Sequence, residues 1–259
     1  MASYNKPTNK QLAATMPLIS SPQHEAYFFS RLENPLWIAP LAEHYVFKYP
    51  PKAEPMNGGG IRHPLWPPSQ YLARMATQSP AEVAKIFAGL NTDNASIIGD
   101  MLHAALAMPA NVAVSLVPAI SEAVKDKTQL VDFSNASDLC ARLAEGDEVD
   151  VAMELADALF TPTREEDQKG PGRRDECWYE EGLKKVMPLL VKTRARTFLP
   201  RLCDWLKAMV KAMKHVDADS ENDMSYVWRP AIEEHEQNND YDFAGVLVGC
   251  ARAGFEEEV

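Results

Sequence analysis

The residues with the most obvious capacity for chemistry lie near the end of the chain. Glu233, Glu234, His235 and Glu236 follow one another directly, and carboxylate and imidazole groups are the usual general acids and bases of enzymes. On a helix, however, adjacent residues point in different directions, so consecutive positions do not bring two carboxylates together. The run therefore does not predict an acid–base pair.

A second acidic cluster, formed by Glu145, Asp147, Glu148 and Asp150, offers oxygen ligands for a cation. Its spacing departs from that of calcium-binding loops, and it lies at a predicted helix start, where acids favour the helix dipole. The histidines and cysteines are too widely separated for the close spacing of zinc ligands. They are His24, His44, His63, His103, His215 and His235, and Cys140, Cys177, Cys203 and Cys250. The sequence predicts no metal site and no cofactor, a hydrogen-bonded structural role for His103, and reduced, mostly buried thiols.

The sequence also lacks the motifs of several common enzyme classes. It contains no GxxxxGK[ST] phosphate loop, no GxGxxG, no GxSxG nucleophile elbow and no HExxH zinc pair. We therefore predict no catalytic residues and a protein that is not an enzyme. The alternative left open is a nuclease or hydrolase subunit that is active only within an assembly.

Positive charge is concentrated in one stretch of an acidic chain. The net charge is -11, yet Lys184 to Lys214 contains nine basic residues and one acid, Asp204. A solvated outer helix face explains this pattern, and docking of an acidic partner or a nucleic acid is the alternative. The partner-binding candidates in this stretch are Arg194, Arg196, Arg201, Lys207, Lys211 and Lys214, while Trp205 on the apolar side is a predicted structural anchor.

Helical signals dominate the elements that must position these residues. Ser79-Pro80-Ala81-Glu82 predicts a capped helix start, Asp93 or Asn94 can cap the next helix, and Pro109 can open a third. Sustained alternation of polar and apolar residues is missing, so strands are not predicted. Further helices are predicted over residues 22–32, 35–46, 68–78, 134–145, 148–160, 176–193, 195–216, 224–237 and 241–254. The predicted fold class is all-α.

An internal echo indicates repeated helix hairpins. Residues 87–109 align without a gap on residues 140–162, and five identities fall on core and helix-ending positions. Short joints favour antiparallel neighbours, and stacked units need the same residue at equivalent places. The specific prediction is a right-handed, solenoid-like stack of antiparallel helix hairpins.

Two PLW triplets flank a segment rich in proline and glycine. Trp37 and Trp66 are predicted to be structural anchors that pin the first turn of a helix to the helix before it. The alternative is that they frame a peptide groove with Gly58 to Gly60 as a flexible lip. For this reason Trp66 and Arg62 are also partner-binding candidates.

These features divide the chain into four parts. They are an N-terminal extension (1–20), a helical-repeat domain (21–160) with a Pro/Gly-rich insertion (50–68), an exposed charged loop (161–176), and continuing helical repeats (177–259). The sequence shows no secretory signal and no apolar run long enough for a membrane span. We expect a cytoplasmic protein that does not engage a membrane.

The segments NPLWIAPLAEHYVF, GGGIRHPLWPPSQYLARMA and SPAEVAKIFAGLNTDNASIIGDMLHAALAMP together resemble the N-terminal helical regions of large multidomain bacterial proteins. The resemblance covers about residues 30–125. It implies HEAT-like or armadillo-like repeats, a scaffold or sensor role with an effector elsewhere in the parent polypeptide, and a link to anti-phage conflict systems. It carries no catalytic residues over to this chain.

The resulting functional prediction is a non-catalytic scaffold or sensor that binds a protein partner or a second copy of itself. The main alternative is a nucleic-acid-binding module that uses Lys184 to Lys214. The assembly-dependent nuclease or hydrolase is the second alternative.

Overall fold

The computed structural model describes residues 6–125, 131–161, 182–183, 185–190, 192 and 201. These residues are mostly helical, which confirms the predicted all-α class. The α-helices are α1 (Asn9–Thr15), α2 (Pro22–Arg31), α3 (Ile38–Glu43), α4 (Pro67–Met75), α5 (Pro80–Ala88), α6 (Ala95–Ala107), α7 (Ala110–Ala113), α8 (Val117–Lys125), α9 (Phe133–Glu145) and α10 (Val149–Phe160).

Prolines explain why two of the predicted helices are interrupted. A 3-10 turn, Pro35–Trp37, precedes α3, and a second, Val114–Leu116, separates α7 from α8. Pro40 and Pro118 have no N–H to donate to the carbonyl four residues earlier, and their rings crowd that carbonyl. The chain therefore tightens into a 3-10 turn just before each of these prolines.

Side-chain caps define several helix starts. Thr8 forms a capping box with Gln11 at α1, Ser21 caps α2, and Asp132 caps α9. Ser79 stands at the predicted N-cap of α5, but its hydroxyl makes no capping hydrogen bond. Pro80, with its fixed φ, begins this helix instead, so the predicted capping box at Ser79 is wrong.

A short β-hairpin lies inside the Pro/Gly-rich insertion. Strands β1 (Glu54–Pro55) and β2 (Ile61–Arg62) pair antiparallel, with Glu54 opposite Arg62. Gly58 and Gly59 turn the chain with φ values of 110° and 94°, which side chains rarely allow. The sequence prediction of no strands is wrong at this hairpin, because two residues per strand are too few to show alternation.

The helices contact one another in two series. In one series α2 packs on α4, α4 on α6, and α6 on α9. In the other α3 packs on α5, α5 on α7 and the adjoining 3-10 turn, and α8 on α10. The pairs α4/α5 and α9/α10, consecutive in the chain, also touch, so the two series lie against each other.

The internal echo corresponds to real helices, but their packing differs. Shifting α5 and α6 by 53 residues places them on α9 and α10. Helix α9 packs most extensively on α10, whereas α6 packs much more on α4 than on α5. The echoed residues Ala105 and Ala158 are both buried, so what the two units share is the burial of equivalent positions.

The core extends beyond the predicted repeat domain at both ends. Leu12 of α1 is fully buried and α1 packs against α3, although residues 1–20 are predicted to be an extension. Residues 182–183 and 185–190 are helical, in agreement with the predicted helix 176–193, and Leu183, Val186, Met187 and Leu190 join the same core. The charged loop beyond Thr161 and the predicted helices 195–216, 224–237 and 241–254 lie outside the described residues, apart from Arg201.

Two glycines test this packing in opposite directions. A Cβ at Gly146, just after α9, would overlap the Cβ of Ala110 on α7, whereas a Cβ at Gly99 in α6 meets nothing within 4 Å. We expect Gly146→Ala to lower the free energy of unfolding by about 1–3 kcal/mol because it forces α7 and α9 apart. The matched control Gly99→Ala should raise it by about 0.5–1 kcal/mol through helix propensity. Chemical denaturation measures both, and a neutral or stabilising Gly146→Ala would contradict the close approach of α7 to α9.

Candidate partner-binding surface

The side chain of Asn94 fastens both ends of the Pro/Gly-rich insertion to the start of α6. Its amide nitrogen donates to the carbonyl of Pro51 at 3.1 Å and to that of Pro64 at 2.8 Å. Its amide oxygen accepts the backbone N–H of Ser96 at 3.0 Å, which caps the helix. Asn94 is fully buried, so water does not reach its amide. These three hydrogen bonds therefore satisfy polar groups that would otherwise be buried without a partner.

Two further hydrogen bonds attach the insertion beside Asn94. The backbone N–H of Ala53 donates to the Asp93 carboxylate at 3.0 Å, and the N–H of Ala95 donates to Nδ1 of His63 at 3.0 Å. Because Nδ1 of His63 accepts, a neutral ring there carries its proton on Nε2. Polar contacts to the first turn of α6 thus hold the insertion in one conformation without burying its hairpin.

Exposed apolar side chains are concentrated in and around this insertion. Within residues 66–125 and 131–161 no large apolar side chain is exposed. The exposed ones in the described chain are Leu18, Tyr27, Leu36, Tyr45, Tyr49, Met56, Ile61 and Leu65. Met56, Ile61 and Leu65 belong to the hairpin and its exit, and we call these three residues the hairpin surface. Exposed apolar side chains close together in sequence on a surface hairpin make it a candidate binding site.

The two tryptophans occupy different environments. Trp66 is the N-cap residue of α4 and is only 5% exposed, so its indole belongs to the core. Its neighbour Leu65 is exposed to solvent. Trp37 is half-buried and packs edge-on against Phe28 of α2, with ring centroids 5.8 Å apart. Each indole therefore lies just before its α-helix rather than inside the first turn.

Arg62, the other partner-binding candidate of the insertion, is exposed on β2. Its guanidinium lies 3.6 Å from the carboxylate of Glu54, which faces it on β1. Both side chains are well exposed, so this ion pair contributes little to stability. Arg62 stays accessible to a partner.

Two of the three described cations of the basic stretch are paired with acids of α9 and α10. Lys185 pairs with Asp138 of α9, and Arg201 lies 2.6 Å from Asp157 of α10. Burial raises the pKa of Asp157 more than the nearby Arg201 lowers it. Lys192 is exposed. The other candidates, Arg194, Arg196, Lys207, Lys211 and Lys214, and the anchor Trp205 lie outside the described residues.

An apolar groove runs beside α2. It has a volume of about 410 Å³ and is lined by Leu18, Ile19, His24, Tyr27, Phe28, Arg31 and Leu32. The guanidinium of Arg31 lies 5.7 Å from the ring centroid of Tyr27, a weak cation–π contact at an exposed site. The groove extends apolar exposure to the N-terminal side of the insertion.

A buried polar contact between α4 and α6 is not visible in the sequence. The hydroxyl of Ser69 lies 2.8 Å from the carbonyl of Trp66 and 2.5 Å from the carboxyl of Asp100. A hydroxyl has one proton, so it donates fully to only one of these acceptors. Burial raises the pKa of Asp100, while the Ser69 hydrogen bond, His103 and Arg74 lower it in part. Ser69 is fully buried, so its hydroxyl is not offered to a substrate.

His103 and Cys140 occupy ordinary structural positions, whereas His215, His235, Cys177, Cys203 and Cys250 lie outside the described residues. His103 is exposed on α6, and its Nε2 lies 3.5 Å from the side-chain nitrogen of Asn135. Cys140 is a free, buried thiol that donates to the carbonyl of Ala152, and burial raises its pKa. Searching the described residues for three or more His, Cys, Asp or Glu side chains grouped around a possible metal position found none.

Comparison with protein-family models, curated proteins and solved structures found no match to this chain. In the part of the chain that the structure describes, no helix combines the length and the apolar character needed to cross a bilayer.

Replacing Asn94 with Asp tests the clamp on the insertion. Aspartate keeps the oxygen that caps α6 but removes both donors and sets a carboxylate against two carbonyls. We expect the free energy of unfolding to fall by about 1–3 kcal/mol and proteolysis within residues 50–66 to become faster. The matched control Asp132→Asn, the reverse exchange at the cap of α9, loses only an exposed hydrogen bond from the side chain of Asn135 and should leave proteolysis within residues 50–66 unchanged. Unchanged proteolysis in Asn94→Asp would contradict the clamp.

The pH dependence of stability tests the Ser69–Asp100 contact. The pKa of Asp100 is raised above its ordinary value of 3.8, so the folded state binds this proton more tightly than the unfolded state. Its contribution to stability is therefore largest below pH 3.8 and falls as the pH rises through the raised value. We expect the stability difference between the native chain and Asp100→Asn to follow this course in urea titrations at several pH values. A difference that is independent of pH, or that grows in favour of the native chain with rising pH, would contradict the assignment.

Proposed function

We propose that this chain is a non-catalytic helical-repeat module, built as a right-handed solenoid-like stack of helix hairpins, that binds a protein partner or a second copy of itself. The two series of helix contacts, α2–α4–α6–α9 and α3–α5–α7 followed by α8–α10, support the stacked architecture. In such stacks each hairpin buries its apolar face only against its neighbours.

The observation that carries the binding role is the unequal distribution of apolar exposure. Every exposed large apolar side chain of the described residues lies between Leu18 and Leu65. The hairpin surface within this range is held by Asn94, Asp93 and His63 rather than by its own burial. A surface that is already ordered loses little conformational entropy on binding, which favours affinity.

The nucleic-acid alternative has weaker support. It relies on the positive charge of Lys184 to Lys214, and two of those cations, Lys185 and Arg201, are paired with acids of α9 and α10. Phosphate backbones are bound by clustered, available cations, so paired side chains contribute less. The anti-phage role and the assembly-dependent nuclease or hydrolase stay predictions from the sequence.

Site-specific photo-crosslinking in the source cells tests the protein-binding proposal. A photoreactive amino acid at Leu65, which is 71% exposed, should yield a discrete crosslinked product. The control position Glu122, exposed on α8, should not yield it. We expect the yield from Leu65 to fall at least about fivefold when Met56 and Ile61 are both changed to serine, because apolar anchors dominate interface energies.

Three results would count against the proposal. The same set of crosslinked proteins from Leu65 and Glu122, or a yield unaffected by Met56→Ser with Ile61→Ser, would exclude the hairpin surface as a specific binding site. Salt-sensitive binding of a labelled oligonucleotide that Lys207→Glu with Lys211→Glu abolishes would favour the nucleic-acid alternative.

A further inference from the structure

The turn after α3 places an aromatic residue where helices usually end in glycine. The N–H of Val46 donates to the carbonyl of Leu41 and the N–H of Tyr45 to that of Ala42, which is the Schellman pattern of a helix end. Tyr45 is the residue that must adopt the left-handed conformation, with φ of 60°. Glycine or asparagine is preferred there, because a Cβ crowds the following carbonyl.

The ring of Tyr45 does not offset this strain by packing. Tyr45 is 66% exposed, while Phe47, two residues later, is buried and fixes the turn to the core. Because the strain at Tyr45 is not offset by packing of its ring, it motivates the hypothesis that this residue has a role in binding.

Lys48 and a second tyrosine complete the surface. The ammonium of Lys48 lies 4.9 Å from the ring centroid of Tyr45 and 5.3 Å from that of Tyr49, which is 75% exposed. The N–H of Lys48 also donates to the carbonyl of Tyr45 at 3.1 Å, so the three side chains project from one short turn. We call Tyr45, Lys48 and Tyr49 the tyrosine–lysine turn.

The local charge differs from that of the whole chain. Between Glu43 and Trp66 there are three cations and two acids, in a chain of net charge -11. Glu54 is paired with Arg62, and in the described part of the chain neither Lys48 nor Lys52 has an acidic partner. An incoming carboxylate therefore meets unpaired ammonium groups here, whereas residues 131–161 carry eight acids and one cation and would repel it.

We infer that the tyrosine–lysine turn binds an acidic segment of the protein partner, with a carboxylate at Lys48 and an apolar side chain against the tyrosine rings; this inference rests on the proposed function. Exposed tyrosines provide large, rigid contact area at low entropic cost. A nucleic acid fits less well, because two unpaired lysines neutralise few phosphates.

Peptide selection on the intact chain tests the inference through the chemistry of the peptides that bind. A random library of peptides of about 12 residues is selected on the native chain and counter-selected on Tyr45→Asn, which keeps a residue suited to the left-handed conformation. We expect the surviving peptides to be enriched in Asp and Glu together with apolar residues. Survivors with a basic bias or no charge bias, or no survivors at all, would overturn the inference.

Point variants then separate binding from folding. For a selected peptide we expect at least about tenfold weaker binding, by fluorescence anisotropy, to Tyr45→Gly and to Lys48→Gln. The melting temperature of Tyr45→Gly should rise by about 2 °C as strain is relieved. Lys85→Gln is the matched control for Lys48→Gln, because Lys85 is an exposed lysine of α5 that belongs to neither proposed binding surface, and it should leave peptide binding unchanged. A lower melting temperature in Tyr45→Gly, or an equal loss of binding in Lys85→Gln, would overturn the inference.

The crosslinking result at Leu65 distinguishes this inference from the proposed function. If Leu65 still crosslinks in Tyr45→Gly and no acidic peptide is selected, the binding role of the tyrosine–lysine turn is wrong and the proposed function is still supported. Absence of the Leu65 product, with acidic peptides still bound through Tyr45 and Lys48, removes the hairpin surface and supports the tyrosine–lysine turn alone.

Discussion

The amide group of Asn94 joins three parts of the chain that sequence places far apart. Its oxygen starts α6, and its nitrogen holds the carbonyls of Pro51 and Pro64. Proline cannot donate a backbone hydrogen bond, so a proline-rich insertion needs donors from elsewhere to become ordered. The side chain of Asn94 and the N–H of Ala95 supply these donors from the first turn of α6. The first N–H groups of any helix have no partner within the helix, so they are available to bond the insertion. These hydrogen bonds to the start of α6 fix the position of the hairpin surface.

Helices are predictable from this sequence because their apolar positions recur at helical spacing. In α6, Ile97, Ile98, Met101 and Leu102 are all buried, and the stripe that predicts the helix is the stripe that packs. Helix α1 escapes prediction because only Leu12 of its seven residues is buried, so no period can be seen. The hairpin escapes it for a related reason, since its strands have two residues each and both face solvent.

The contacts that shape the candidate surface cannot be predicted from local pattern. Asn94 reaches carbonyls 30 and 43 residues away, and Ser69 meets Asp100 across 31 residues. An Asn or Asp before an apolar run predicts a helix cap, and Asn94 is such a cap. The cap uses only the amide oxygen, however, and nothing in the local pattern predicts the two bonds that the amide nitrogen donates. Similarly, the two PLW triplets are identical in sequence, yet Pro40 makes the first enter a 3-10 turn, whereas Pro67 starts a helix directly after the second. The residues that follow each triplet decide its structure.

Some of the charged side chains of the described chain are paired and others are not. Acids of α9 and α10 are engaged by cations from later in the chain, as Asp138 is by Lys185 and Asp157 by Arg201. Around the insertion, by contrast, Lys48 and Lys52 are left without acids in the described part of the chain, and the nearby tyrosines without cover. The fields of two paired charges largely cancel, so an ion pair within the chain does not attract a charged partner. Unpaired charges beside exposed aromatic rings attract a surface of opposite charge. If the chain binds a partner as proposed, the region from α3 to the start of α4 offers it the most exposed apolar area together with unpaired charge.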